Sequence, residues 1–218
     1  MRNQGVVGRV LTRHVGLKPD LRSNELSGLK PDLQLMRHVQ SFAPIETADA
    51  TILILGSMPG EASLRAGQYY AHPRNLFWRI MGELLDIDPA SPYEQRMQAL
   101  KSARIALWDV LRSCRRKGSL DSHIDNESLV PNDFAAFFRH HPKINHVFFN
   151  GAKAEQCYRK HVHPAIEIET IEYLRLPSTS PANASIFHER KLEAWRVITS
   201  ASDLCGLAHG RAVPSYIG

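Results

Sequence analysis

Cysteine is scarce in this sequence, and the few cysteines present follow no ligand or disulfide pattern. Cys114, Cys157 and Cys205 lie far apart, and none belongs to a Cys-x-x-Cys pair. Such spacing supports neither a disulfide framework nor a zinc or four-cysteine iron–sulfur site. Isolated thiols fit a reducing compartment, so we expect a cytoplasmic protein.

Long apolar runs and common cofactor motifs are also missing. No apolar stretch approaches membrane-spanning length, and Arg9 interrupts the early valine-rich stretch, so we expect no membrane span and no secretory signal. No Gly-Lys-Ser/Thr phosphate loop and no His-Glu-x-x-His motif occurs. We therefore expect neither a cofactor nor a metal. A metal hydrolase remains an alternative built on five scattered histidines, namely His140, His141, His146, His161 and His163.

Excess charge is small once it is located along the chain. The formal net charge is +5, but residues 1–35 hold six basic and three acidic residues, and the remainder holds 21 basic against 19 acidic. A body this close to neutrality needs a local patch to bind nucleic acid. The best candidate has no acid within it and comprises Arg112, Arg115, Arg116 and Lys117. The alternative is an ordinary solvated loop.

The first 35 residues differ from the rest. They contain the repeat Gly-Leu-Lys-Pro-Asp-Leu at residues 16–21 and 28–33, without helical or strand periodicity. We interpret residues 1–35 as a disordered leader, which could also be untranslated, because Met36 precedes the first segment with a folded pattern. A targeting leader is the alternative. Residues 36–218 are predicted to form a single domain.

Short apolar strands alternate with helical stretches in that domain. Buried strands are predicted at residues 51–55, 104–108, 146–149 and 171–176, and helices at 75–85, 152–160 and 188–200. This alternation predicts an α/β fold with a parallel sheet. Ligands of such folds bind at the carboxyl ends of the strands, which directs attention to the loops at residues 56–75, 150–151 and 177–183.

Each of these loops carries polar or aromatic residues with two interpretations. The first begins Gly-Ser-Met-Pro-Gly at residues 56–60, a tight backbone that can aim amides at a ligand. Tyr69 and Tyr70 offer a stacking face or belong to the core. The amide of Asn150 complements the keto oxygen and ring N–H of hypoxanthine or uracil, or marks a turn. The hydroxyl-rich loop at 177–183 suits phosphates, or is an ordinary turn.

Together, four segments resemble one family. They are Gly-Ser-Met-Pro-Gly, Tyr-Tyr-Ala-His-Pro-Arg-Asn-Leu-Phe-Trp at 69–78, Phe-Phe-Asn-Gly at 148–151 and Leu-Pro-Ser-Thr-Ser-Pro-Ala-Asn at 176–183. Their order is similar to that of the uracil-DNA glycosylase superfamily, within it the hypoxanthine-DNA (deoxyinosine) glycosylase branch, over residues 42–200. The resemblance implies a three-layer α/β/α sandwich with a short central parallel sheet, base flipping, and hydrolysis without a metal or other cofactor.

The same resemblance implies residue roles. Asn75 matches the catalytic position, Asn150 the residue that reads the flipped base, and Tyr70 the aromatic that stacks on it. The remaining residues of the expected base pocket are Gly56, Ser57, Met58, Pro59 and His72. Expected DNA contacts are Ser178, Ser180, Asn183 and Arg74.

Two positions depart from the pattern of relatives. Met58 occupies the place of the catalytic asparagine in the Gly-x-Asn-Pro-Gly motif of mismatch-specific relatives, so the polar role is expected to move to Asn75. Ala182 occupies the place of a leucine wedge. His72 either assists the reaction or braces its loop.

The resulting expectation is a monomeric DNA glycosylase that removes deaminated bases, chiefly hypoxanthine, from damaged DNA by hydrolysis of the N-glycosidic bond. One alternative is a glycosylase acting mainly on uracil, since an asparagine accepts either keto base. The other is a non-catalytic DNA-binding protein of the same fold.

Overall fold

The computed structural model describes residues 36–166 and 168–201. The predicted leader and Cys205 lie outside these residues. The described strands are β1 Arg37–Gln40, β2 Ile52–Gly56, β3 Ile105–Asp109, β4 Leu111–Arg116, β5 Val130–Pro131, β6 His146–Asn150 and β7 Glu172–Leu176. The described helices are α1 Glu61–Ala66, α2 Phe77–Leu85, α3 Tyr93–Ser102, α4 Phe134–His140, α5 Ala152–His161 and α6 His188–Trp195. Four short 3-10 helices lie between them.

A four-stranded parallel sheet forms the centre of the domain, with strand order β3-β2-β6-β7. All four predicted strands are confirmed, each within one residue of its predicted start. Every residue of β2 and β3 is buried, since helices cover both faces of a parallel sheet and a continuous apolar run is then required.

Helices cover both faces of this sheet and confirm the predicted three layers. The β2 side chains that point to one face of the sheet, including Leu53 and Leu55, pack with buried residues of α4 and α5. The alternate set, which includes Ile52 and Ile54, packs with α2, α3 and α6. Because successive strand residues point to opposite faces, one short apolar strand supplies both cores.

The three predicted helices are present, with differences in extent. Helix α2 begins at Phe77, two residues after its predicted start, and ends at Leu85; the next residue, Asp86, adopts a left-handed conformation with φ 52°. Helix α6 ends at Trp195, and a turn at Arg196 separates it from helical residues 197–201, where a continuous helix was predicted. Helices α1, α3 and α4 were not predicted. Within the described ranges, none of the helices is long and apolar enough to cross a membrane.

A second, antiparallel sheet with strand order β1-β4-β5 was also not predicted, and it corrects the interpretation of the basic patch. Residues 112–117 were expected to form a solvent-facing patch or loop, but residues up to Arg116 form β4. Along this strand Arg112 and Arg115 face outward, whereas Arg116 is 1% exposed and its guanidinium donates to the carbonyl of Pro59. Arg116 therefore braces the first loop and is unavailable to DNA phosphates.

Candidate active site

A cavity of about 570 Å³ opens at the carboxyl ends of the parallel strands. Its walls come from the loops after β2, β6 and β7, as the strand-end rule predicts, and from the segment after β4. All twelve residues expected in the site line it, namely Gly56, Ser57, Met58, Pro59, Tyr70, His72, Arg74, Asn75, Asn150, Ser178, Ser180 and Asn183. Their individual roles stay predictions.

The first loop is held in place from behind. Arg116 binds the carbonyl of Pro59, and Met58 is buried in the core below. The Ser57 hydroxyl lies 2.8 Å and 2.9 Å from the two carboxylate oxygens of Asp121, to which it donates. This loop is thus fixed by side chains from β4 and the segment after it, which leaves its inner side to the cavity.

The two adjacent tyrosines separate into different environments. Tyr69 is 3% exposed and belongs to the core, where its carbonyl accepts from Trp78 Nε1 at 2.7 Å. Tyr70 has φ 54°, a left-handed conformation that is uncommon for a bulky residue, and its ring enters the cavity wall. The Phe77 ring stacks on it at a centroid distance of 4.1 Å. Tyr69 therefore follows the core interpretation although it also borders the cavity, and Tyr70 forms part of the cavity wall.

Asn75 is positioned by the start of helix α2. Its Oδ1 accepts the backbone N–H of Phe77 at 2.9 Å, and its own N–H donates to the carbonyl of His72 at 2.8 Å. Oδ1 must be the acceptor here because a backbone N–H can only donate. Nδ2 makes no hydrogen bond to any residue that the structure describes. The side chain therefore presents an N–H donor at the cavity wall.

His72 lies in the same loop and contributes to its shape. Its Nδ1 accepts the backbone N–H of Arg74 at 3.1 Å. The Arg74 side chain is exposed at the rim of the cavity. The contact of His72 matches the bracing interpretation of this histidine, since the accepting nitrogen is already occupied.

Asn150 is gripped by the last loop through both ends of its amide. Its Oδ1 accepts the N–H of Thr179 at 2.8 Å, and its Nδ2 donates to the Thr179 hydroxyl at 2.9 Å. The carbonyl of Thr179 in turn accepts the N–H of Leu76 at 3.1 Å, which joins the last loop to the first. Three loops are thereby fixed relative to one another around the cavity.

The rim residues of the last loop are also partly committed to local structure. The Ser180 hydroxyl accepts the N–H of Ala182, and Asn183 Nδ2 donates to the carbonyl of Ser178. Lys191 Nζ donates to the carbonyl of Asn183 at 2.7 Å. These contacts hold a short 3-10 helix at the rim.

Three carboxylic acids that sequence reasoning missed line the cavity: Glu61, which is exposed, and the less exposed Asp109 and Asp121. Asp109 is the last residue of β3 and is 3% exposed; burial raises its pKa to about 7, and the neighbouring Asp121 charge adds to the effect. Burial also raises the pKa of Asp121, against the hydrogen bond from Ser57. Asp109 follows a predicted strand directly, so the strand-end rule could have found it. No comparable signal marks Asp121.

The architecture and the cavity are matched by one family. A model described as the uracil DNA glycosylase superfamily matches residues 44–199, which is well over half of the chain. The chain belongs to the uracil DNA glycosylase superfamily. The sequence resemblance to this family, carried by four loop segments, is thereby confirmed.

Proteins from two Methanosarcina species are similar to this chain. The chain is 37% identical over 153 residues to a protein named hypoxanthine DNA glycosylase from Methanosarcina barkeri, covering 70% of this chain and 92% of that one. It is 36% identical over 160 residues to one of the same name from Methanosarcina acetivorans, covering 73% and 96%. A solution structure described as a putative uracil DNA glycosylase from Methanosarcina acetivorans superposes with a TM-score of 0.64 at 34% identity, covering 76% of this chain and 99% of that one.

The alternative of a histidine-based metal site can also be examined. Among the described parts of the chain, no three His, Cys, Asp or Glu side chains gather closely enough to hold a metal ion. Two of the histidines instead lie beside single carboxylates, with His141 Nε2 3.3 Å from Glu46 Oε2 and His146 Nε2 3.6 Å from Glu172 Oε2. His146 and Glu172 begin β6 and β7, so their contact lies at the amino ends of the parallel strands and not at the carboxyl ends that border the cavity.

Proposed function

We propose that this protein is a DNA glycosylase that removes hypoxanthine from deoxyinosine in DNA. The observation that carries the proposal is the convergence of Asn75, Tyr70 and Asn150 on one cavity, in a chain 36–37% identical to two proteins named hypoxanthine DNA glycosylase. The reaction is a hydrolysis: water adds hydroxide to the sugar carbon and a proton to the base. The products are free hypoxanthine and an abasic site, which starts base-excision repair.

The first step is extrusion of the target nucleotide from the duplex. A base inside the stack cannot reach a cavity at the strand ends, so the enzyme takes it out, and a damaged pair opens more readily than a normal one. A volume of about 570 Å³ lies in the range of small-ligand pockets. Phe77 covers one face of the Tyr70 ring, so the base stacks on the part of the ring that faces the cavity.

The second step is departure of the base, which gains negative charge as the glycosidic bond stretches. The free Nδ2 donor of Asn75 stabilises this charge, because its orientation is already fixed by the bond from Phe77 N–H to Oδ1. Because Oδ1 already accepts the N–H of Phe77 and Nδ2 makes no hydrogen bond to the described residues, we assign Asn75 to the leaving base.

The rim of the cavity holds the DNA backbone. Arg74 supplies a positive charge, and the small polar residues Ser178, Ser180 and Asn183 lie around the opening with backbone N–H groups between them. Since Arg116 is buried, the phosphate contacts come from this rim together with the exposed Arg112 and Arg115.

The protein acts as a monomer in the cytoplasm. The free, buried thiols of Cys114 and Cys157 fit a reducing compartment. Size-exclusion chromatography with light scattering tests the monomer.

The deciding experiment incubates the protein with duplexes that carry one inosine, one uracil or no damage, and measures free base and abasic sites under single-turnover conditions. We expect the inosine duplex to be processed fastest. Faster release of uracil would replace the proposed substrate with the uracil alternative. Binding of the inosine duplex without any base release would favour the non-catalytic DNA-binding alternative.

A further inference from the structure

The tips of three neighbouring strands place two polar side chains on either side of Gly56. In the parallel pairing, Gly56 is the register partner of Asp109 on β3. On the other side Leu55 pairs with Phe149 of β6, so Asn150 is the next residue beside Gly56. Adjacent strands lie roughly 4.8 Å apart. Asp109 and Asn150 therefore flank a gap that Gly56 leaves without a side chain.

Oxygen atoms fill the space above this glycine. A methyl group at Gly56 would lie 2.3 Å from Asp109 Oδ1 and 2.8 Å from the Tyr70 hydroxyl oxygen. Both distances are far below van der Waals contact, so these two groups reach across the Gly56 backbone. The glycine is thus required for a carboxyl group and a phenol to meet at the floor of the cavity.

The hydrogen bonding of these groups is incomplete. Asp109 Oδ2 accepts from the Ser41 hydroxyl at 2.9 Å, whereas Oδ1 has no hydrogen bond to the residues that the structure describes. The buried Tyr70 hydroxyl also has no hydrogen-bond partner there. Buried polar atoms of native proteins are normally paired, so unpaired ones at a cavity floor point to a ligand.

Both ends of the Asn150 amide are already engaged by Thr179. Its Oδ1 accepts Thr179 N–H with one of its two lone pairs, and one Nδ2 hydrogen goes to the Thr179 hydroxyl, so a second Nδ2 hydrogen stays available. Hypoxanthine presents a keto oxygen beside a ring N1–H, and reading both requires a donor and an acceptor. Asn150 can supply the donor, and Asp109 Oδ1, which accepts no hydrogen bond from the described residues, is the acceptor with the most free capacity.

We propose that Asp109 is a specificity-determining residue whose Oδ1 accepts the N1–H of flipped hypoxanthine, while Asn150 donates to the adjacent keto oxygen. Adenine presents the opposite pattern, an amino group beside an unprotonated N1. A carboxylate, which only accepts, would face the lone pair of that N1 and exclude adenine; guanine presents the same keto oxygen and N1–H as hypoxanthine, so this contact does not distinguish those two bases. This inference rests on the proposed function and names the residue that selects hypoxanthine over adenine.

The surroundings of Asp109 bring its pKa close to neutral pH. Burial raises its pKa to about 7, the Ser41 hydrogen bond lowers it, Asp121 raises it and Arg116 lowers it. Tyr69 and Tyr70 face the same carboxyl group as neutral phenols, since burial and the Asp109 charge raise the pKa of both. Ionised Asp109 accepts only, and its share of the protein increases as the pH rises through about 7.

The test compares duplexes that contain inosine or nebularine, a purine nucleoside with neither the keto oxygen nor N1–H. Single-turnover rates are measured for the full chain, for Asp109→Asn, and for the control Asp88→Asn on an exposed turn. We expect Asp109→Asn to lower the inosine-to-nebularine rate ratio by about 5- to 150-fold, the range for one base-reading contact. The control ratio should not change. A purely structural role of Asp109 would lower both rates equally.

A second measurement needs only the unaltered protein. Its inosine-to-nebularine ratio should increase between about pH 6 and 8 as Asp109 ionises. The role of Asp109 would be overturned if Asp109→Asn left the ratio unchanged. If that variant does not fold, a pH-independent ratio in the unaltered protein would overturn it instead. Either result would leave the proposed function intact. Failure of the unaltered protein to release hypoxanthine would overturn both proposals.

Discussion

The two sides of the cavity differ in which groups hold their polar side chains and in whether those side chains ionise. We call Asn75 and Asn150 the amide wall, and Asp109 and Asp121 the carboxyl wall. Each amide oxygen of the amide wall accepts a backbone N–H, so its orientation is fixed by elements that the fold requires anyway. These neutral side chains need no ionisation and remain donors at any ordinary pH.

The carboxyl wall is held by serine hydroxyls instead. Ser41 donates to Asp109 and Ser57 to Asp121, yet burial still raises the pKa of both acids. The charge of Asp121 adds to the raised pKa of Asp109, since a like charge nearby disfavours the ionised form. Arg116 offsets part of this, but its guanidinium binds a carbonyl rather than either acid.

The comparison distinguishes amide side chains whose orientation is fixed in advance from carboxyl side chains whose pKa is set by their surroundings. In the proposed function, the amide wall stabilises the transition state with little destabilisation of the fold. Ionisation of the carboxyl wall lowers the stability of the folded protein. Residues that are retained despite such a loss of stability are typical of functional sites. Changes at Asn75, Gly56 and Asp109 test this difference, and a change at Arg74 tests the rim outside both walls. They follow in order of decreasing expected effect.

Asn75→Asp removes the donor of the amide wall but keeps an oxygen to accept the N–H of Phe77. We expect single-turnover excision of hypoxanthine to fall by about 10²- to 10³-fold or more, since one preorganised contact to developing charge is lost and a negative charge is added. Thermal unfolding should be unchanged or slightly improved, because an acid near a helix N-terminus is favourable.

Asn75→Ala is the matched comparison, as it removes both the donor and the helix contact. Excision should fall by a similar factor, and stability by about 1 kcal/mol. If Asn75→Asp kept nearly full activity, the side chain would act only through helix α2, and the amide wall would have no part in the chemistry.

Gly56→Ala changes the residue that lies between Asp109 and Asn150 in the sheet, where the two walls meet. The added methyl would overlap Asp109 Oδ1 and the Tyr70 hydroxyl, so we expect destabilisation of about 1–3 kcal/mol and a strong loss of excision. The comparison variant is Gly60→Ala in the same loop, whose methyl would meet only Ser119 at 3.7 Å. Urea unfolding and excision rates measured side by side check the prediction, and equal effects of the two variants would contradict the crowded floor.

Sequence reasoning located the amide wall because its residues occur in contiguous loop segments next to unmistakable strands. The strand at 51–55 is short, β-branched and closed by Gly56, so its end and the loop after it could be predicted. Parallel packing then brings Asn75, Asn150 and the last loop to one edge. The separation of Tyr69 from Tyr70 could not be predicted, since it depends on a left-handed backbone at Tyr70 that no pattern encodes.

The carboxyl wall was missed for a related reason. A single acid after a strand resembles a turn residue, and the function of Asp109 depends on Gly56 beside it in the sheet, a relation of register rather than of sequence distance. Asp121 reaches the cavity only because β4 and β5 pair in a second sheet, and strands of six and two residues give weak signals. Arg116 pairs with Arg37 of β1 and is buried, which removes it from the basic patch while Arg112 and Arg115 stay exposed.

The pH dependence of stability gives a third test, on the carboxyl wall alone. The pKa of Asp109 is about 7 in the folded protein against an ordinary value near 3.8, so the folded state holds this proton more tightly. Its contribution to stability is therefore present at low pH and is lost as the pH rises from about 4 to about 7. Asp109→Asn should remove this loss and be on the order of 1–3 kcal/mol more stable than the unaltered protein at about pH 8.

The measurement is urea unfolding of both proteins at about pH 5 and about pH 8. The difference in unfolding free energy between the variant and the unaltered protein should grow with pH, while some decline with pH remains in the variant because Asp121 also has a raised pKa. A constant difference at the two pH values would mean that Asp109 ionises as easily in the fold as in water, and the contrast between the walls would disappear.

The smallest expected effect belongs to neither wall. Arg74 lies exposed at the rim, so Arg74→Ala should weaken binding of damaged and undamaged duplex alike by a few fold and reduce the salt dependence of the association constant by about one ion. Arg139→Ala, at an exposed position on α4, is the matched control and should change neither. Fluorescence anisotropy at several salt concentrations measures both. Because phosphate contacts carry no base information, a change in the preference of Arg74→Ala for inosine would show that the rim, and not only the two walls, reads the base.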